Sequence, residues 1–108
     1  MDNQFNINMF SNDAEFCSSV AIECNKYGFG LNFFEEKNIK KKKKIEVGEI
    51  SVAIIDLTFD EEIDPYLLGE KMRIVSSLPI FGVLDKFNRS KQNRAKDCGF
   101  DLVFTKSM

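Results

Sequence analysis

Ser51-Val52-Ala53-Ile54-Ile55-Asp56-Leu57 is the stretch that decides the fold, a run apolar on both faces and closed by an acid. A strand with one wet face alternates apolar and polar residues, whereas one covered on both faces is continuously apolar. The run therefore predicts a central parallel strand that delivers Asp56 at its carboxyl end. Before it, Phe5-Asn6-Ile7-Asn8-Met9-Phe10 alternates as a first strand should. Asn12-Asp13-Ala14-Glu15 resembles a capping box, with Asn12 as N-cap and Glu15 at the third helical position. Phe16/Cys17, Val20/Ala21 and Cys24 then recur at helical spacing, Gly28 supplies a stop, and Leu31-Asn32-Phe33-Phe34 makes a short second strand.

Beyond the central run, Asp64-Pro65 offers an N-cap followed by Pro at the first helical position, with Leu68, Met72 and Val75 as the inner stripe. Pro79 turns the chain into Ile80-Phe81-Gly82-Val83-Leu84. A polar helix is expected over about residues 90–98 with Gly99 as its stop, and Asp101-Leu102-Val103-Phe104-Thr105 is the last strand. The run Lys40-Lys41-Lys42-Lys43-Lys44, near Lys37, reads as a solvated loop or a short basic helix with Ile39 and Ile45 turned inward. Five strands alternating with helices predict an α/β sheet, parallel and doubly wound, of flavodoxin-like order 2-1-3-4-5. Residues 1–108 then form a single domain, and a site is expected outside the carboxyl ends of the strands. Ser11, Asn12, Asp13, Asp56, Leu84, Asp85 and Lys106 are delivered to that rim.

Composition narrows the chemistry. The 108 residues carry 15 Lys+Arg, 17 Asp+Glu and no His, which removes imidazole acid–base catalysis and His-zinc sites. The three cysteines form no Cys-x-x-Cys pair, and Cys17 and Cys24 fall about 10 Å apart along a helix, too far for a disulfide. All three, Cys98 included, read as small buried hydrophobes in a reducing compartment. A formal charge of −2 points away from nucleic acid as a partner, and no aromatic residue interrupts the lysine run for base stacking. No apolar run approaches the roughly 20 residues of a membrane span, and Met1-Asp2-Asn3-Gln4 lacks a basic signal-peptide start, so a cytoplasmic location is expected.

Ala53-Ile54-Ile55-Asp56-Leu57 and Val103-Phe104-Thr105-Lys106-Ser107, together with Leu78-Pro79-Ile80 and Cys98-Gly99-Phe100-Asp101, resemble the response-regulator receiver domain of two-component signalling over about residues 5–107. The resemblance implies that Asp56 is the phosphoacceptor and Lys106 the invariant lysine that neutralises phosphoryl oxygens. It also implies a Mg²⁺ site built from acids after the first strand, here Asp13, with Asp56 and the backbone carbonyl of Thr58. Histidine kinases and output proteins are the partners it implies, for a signalling module rather than an enzyme.

Several positions depart from the family pattern. Ser11 and Asn12 occupy the usual acid positions, Leu84 the switch hydroxyl, Asp85 a normally small position, Val103 the aromatic switch and Ser107 the usual proline. The expected reading is a degenerate pseudo-receiver with weak or absent Mg²⁺ and impaired phosphorylation, acting through protein–protein interaction. The alternatives are a receiver that still accepts a phosphoryl group at Asp56 with Mg²⁺, and a flavodoxin-like domain with another ligand. The family's last helix has no counterpart after Lys106, either because it is truncated or because a neighbouring chain supplies the cover. Self-association through the face left open beside strands one and five is expected, most simply as a homodimer. Asn6 and Asn8 are expected to soften that open face by making it polar.

Overall fold

The computed structural model describes residues 5–33, 50–58, 64–75 and 77–107. The lysine run, expected as a solvated loop or a short basic helix, lies outside the described residues. In chain order the elements are β1 (Phe5–Phe10), α1 (Ala14–Tyr27), β2 (Gly30–Phe33), β3 (Ile50–Asp56), α2 (Pro65–Val75), β4 (Ile80–Leu84), α3 (Arg89–Asp97) and β5 (Leu102–Thr105). The five strands are all parallel in the order β2-β1-β3-β4-β5, as expected from the pattern. Met9 pairs with Ile54 and Ile54 with Phe81, so β3 lies second from neither edge but at the centre.

The chain moves one way from β1 to β2 and the other way from β3 to β5. Right-handed crossovers then place α1 on one face of the sheet and α2 and α3 on the other. The second face holds the core: Phe10, Ala53, Ile55, Ile80 and Leu84 pack with Tyr66, Leu68 and Met72 of α2, Ala95 of α3, and Phe100. Phe100 sits so close to α2 and β4 that a Cβ on Gly69 would fall 2.3 Å from its ring, and one on Gly82 3.1 Å away. Only the absence of a side chain lets the helix approach there. Arg73 closes the far end of this layer: its guanidinium donates to the carbonyls of Gly99 at 2.9 Å and Leu78 at 3.2 Å. It also pairs with Asp101, whose carboxylate accepts from the Ile80 N–H at 2.8 Å.

Several expectations need correction. The N-cap of α1 is Asp13, not Asn12, and its Oδ1 accepts from the Phe16 N–H at 3.1 Å. Both residue types cap well, and it is Asp13 that has the extended backbone of a cap immediately before the first helical residue. Val75 is 37% exposed at the end of α2, so the inner stripe is Leu68 and Met72. On α1, Ala21 is exposed, and of the cysteines only Cys24 is buried, with Cys17 and Cys98 half-buried and all three free. Asn6 and Asn8 share the face of Phe10 and Ala53, and Asn8 donates to the Val52 carbonyl at 3.2 Å. They therefore lie on the helix-covered side and give no polar relief to the opposite one. On that opposite face Ile54, Phe81 and Phe104 are half-buried and Leu102 is 54% exposed, while α1 packs at the β2 side.

Candidate functional site

The carboxyl ends of β1, β3, β4 and β5 meet at one rim because parallel strands share direction. Ser11 and Asp13 follow β1, Asp56 closes β3 with Thr58 just beyond it, Asp85 follows β4, and Lys106 follows β5. Backbone bonds fix the last two strand ends: the Lys106 N–H donates to the Leu84 carbonyl at 2.9 Å, and the Leu57 N–H to that of Val83 at 2.9 Å. The side chains of these six residues come together.

Lys106 is the hub. Its Nζ lies 2.9 Å from Asp13 Oδ2, 3.0 Å from Asp56 Oδ2 and 3.3 Å from Asp85 Oδ1, and donates to Thr58 Oγ1 at 2.9 Å. The Phe16 ring covers it, with the ammonium 5.4 Å from the ring centroid. Asp56 is fully buried, yet its oxygens are well supplied. Oδ1 accepts from the Thr58 N–H at 2.9 Å and the Thr58 hydroxyl at 2.5 Å, and Oδ2 accepts from the Ser11 hydroxyl at 2.6 Å.

Charge follows geometry. Burial alone would push the Asp56 carboxyl up, but the hydrogen bonds from Ser11, Thr58 and Lys106 outweigh it and hold the group below its ordinary range. Asp13 is held down mainly by Lys106, helped by the Phe16 N–H. Burial opposes the charge on Lys106, but Asp13, Asp56 and Asp85 raise it well above the usual lysine value. The cluster therefore holds Asp13 and Asp56 as anions against the Lys106 cation at neutral pH, with the Asp85 carboxyl 3.3 Å from the same ammonium.

The remaining sequence-singled positions lie elsewhere. Asn12 is exposed beside the cap, Leu84 is buried in the core at 2% exposure, and Val103 packs half-buried against that core. Two members of the site carry roles that the sequence did not assign them. Ser11 marked a missing acid, but its hydroxyl is a direct partner of Asp56, and Thr58 contributes its hydroxyl and N–H. A hydroxyl two residues beyond a strand-ending acid was the available signal, since such a residue can fold back on that carboxylate. Among the described residues no group of three His, Cys, Asp or Glu side chains is arranged to hold a metal ion. The carboxylates of Asp13, Asp56 and Asp85 each lie within 3.3 Å of the Lys106 ammonium.

No protein-family model matches this sequence, and no curated protein matches it. Solved structures do match. A two-component response regulator from Clostridium difficile superposes with a TM-score of 0.79 at 16% identity, over 97% of this chain and 85% of that one. A CheY-like response regulator receiver domain protein from Methanospirillum hungatei JF-1 gives 0.77 at 13% identity, over 97% and 83%. A response regulator from Burkholderia pseudomallei, solved with a phosphorylated aspartic acid and a calcium ion, gives 0.77 at 14% identity, over 97% and 61%. Sheet order, helix placement and these superpositions agree: the chain has the flavodoxin-like fold of response-regulator receiver domains.

Proposed function

We propose that residues 1–108 form a single receiver-like signalling domain, a pseudo-receiver that works by protein–protein contact rather than by catalysis or obligatory phosphorylation. The observation that carries this reading is the sharing of Lys106 among Asp13, Asp56 and Asp85. A phosphoryl group brings about −1.5 to −2 charge at neutral pH. Here it would enter a pocket where a single ammonium already faces three carboxylates. Leu84, in place of a switch hydroxyl, is a core residue with nothing to offer a phosphoryl oxygen.

Mg²⁺ fits poorly for the same reason. It demands near-ideal octahedral oxygen ligands, and an oxygen of Asp13 and one of Asp56 are both already held by Lys106. Where Mg²⁺ does bind, Asp13, Asp56 and the Thr58 carbonyl are the groups to hold it, and it would supply charge neutralisation at the phosphoryl oxygens. The second reading, a weak phosphoacceptor at Asp56, is favoured by the convergence of Asp13, Asp56 and Lys106 on one rim.

The partners this fold suits are a histidine kinase or an output protein, consistent with the response regulators it resembles. No helix among the described residues is long and apolar enough to cross a membrane, which supports a cytoplasmic setting. The open face with Leu102 and Phe104 is the surface through which a homodimer would form. Incubation with Mg²⁺ and a small acyl phosphodonor, followed by intact mass measurement, tests the reading. Unchanged mass is expected, and a stoichiometric gain of one phosphoryl group on Asp56 would replace it with the second reading.

A further inference from the structure

We propose that Thr58 is the gate to Asp56: its hydroxyl holds the carboxylate closed, and a reactant reaches Asp56 only when that hydroxyl swings away. This rests on the pseudo-receiver reading and gives it a cause at one residue. A carboxylate offers about four lone-pair sites. The Thr58 N–H and hydroxyl take those of Asp56 Oδ1, and the Ser11 hydroxyl and Lys106 ammonium take those of Oδ2. Thr58 Oγ1 also accepts from Lys106 at 2.9 Å, so its single proton is committed to Asp56.

A cavity of about 440 Å³ opens beside the end of β4, lined among others by Thr58, Asp85, Lys86, Asn88 and Lys91. Thr58 reaches its wall, whereas Asp56 and Lys106 do not. Lys86 and Lys91 suit the cavity to an anionic reactant, and such a molecule meets the threonine first. Rotation about one side-chain torsion would break the hydroxyl's bonds to Asp56 and Lys106 and free one lone pair of Oδ1, the other staying with the Thr58 N–H. Thr58 is thus a positioning residue acting through Asp56.

Carbodiimide coupling reads the gate without metal or phosphate. An Asp56 oxygen adds to the protonated carbodiimide carbon to give an O-acylisourea. A small amine then attacks the acyl carbon, the urea leaves, and an amide remains at Asp56 for peptide mass measurement. In the wild type, Asp56 should stay unlabelled while exposed Asp97 reacts. Thr58→Ala should raise Asp56 labelling at least tenfold, and Thr58→Ser should keep it protected. Wild-type Asp56 labelling at the rate of Asp97, no gain in Thr58→Ala, or Thr58→Ser as reactive as Thr58→Ala would each overturn the gate. The phosphodonor assay judges the pseudo-receiver reading separately, since a phosphorylated wild type would refute it whatever the carbodiimide result.

Discussion

Lys106 Nζ lies 3.0 Å from Asp56 Oδ2, the lysine side chain 13% exposed and the aspartate 1%. The pair is asymmetric in its dependence. Without Lys106, Asp56 keeps three hydrogen bonds but loses its counter-charge in a dry site, so Lys106→Met should cost about 1–3 kcal/mol. In Asp56→Asn, the amide oxygen still accepts from Thr58, the amide N–H₂ can donate to the Ser11 oxygen, and Lys106 retains Asp13 and Asp85. That variant should lose less than about 1 kcal/mol. Urea melts of both decide it, and equal, negligible losses would mean that the rim is solvated and the pair structurally idle.

Acid sensitivity follows from the same groups. The folded-state carboxyls of Asp56 and Asp13 lie below their ordinary range, so the unfolded chain binds more protons in acid. Their contribution is full above the unfolded value of about 4 and is lost as pH falls through the folded values. Lys106 is raised, so its contribution is whole below about pH 10 and fades only at higher pH. Stability should therefore be level across neutral pH and drop in acid, with a shallower drop in Asp56→Asn. Urea melts across the acid range measure both slopes.

Arg73 reaches carbonyls at Leu78 and Gly99 and the carboxylate of Asp101 with one planar fork. Lysine cannot reproduce that geometry. Arg73→Lys should cost about 1–2 kcal/mol by chemical denaturation, since the Gly99 and Leu78 carbonyls then lose their donors. Hydrogen exchange should quicken first at Ile80 and Asp101, and a loss spread evenly over the sheet would contradict this local role.

How far the sequence reached depended on whether a residue's partner was near it in the chain or across the fold. Asp56 and Lys106 were legible because each ends a strand, and parallel strands bring their ends together. The sheet order followed from the alternation of periods. Arg73 was not legible, because its acceptors lie up to 28 residues away and no spacing announces them. Asn12 and Asp13 are equivalent caps until the helix start is known. Asp85 read only as an acid at a normally small position, and its pairing with Lys106 was not legible, because a lysine's reach across the rim is a matter of side-chain direction. Asn6 and Asn8 read as softening the open face because strand alternation gives two faces but not which one a helix covers.

The face carrying Leu102, Phe104, Phe81 and Ile54 predicts self-association. Apolar surface of this kind is stabilised by burial against a second copy, most simply about a two-fold axis. Light scattering at micromolar concentration should detect a dimer, and Leu102→Glu or Phe104→Glu should weaken it. A monomer throughout that range would remove this interface from the account.

The central claim is that Asp56 is an anion held by the chain's own donors. Its most direct measurement is a ¹³C titration of the aspartate carboxyls by NMR, with Asp56 assigned through Asp56→Asn. The account predicts a midpoint for Asp56 below the ordinary aspartate value of about 3.9, unmoved by Mg²⁺ at micromolar concentration. A midpoint at or above that value, or a clear response of the Asp56 carbon to micromolar Mg²⁺, would contradict it.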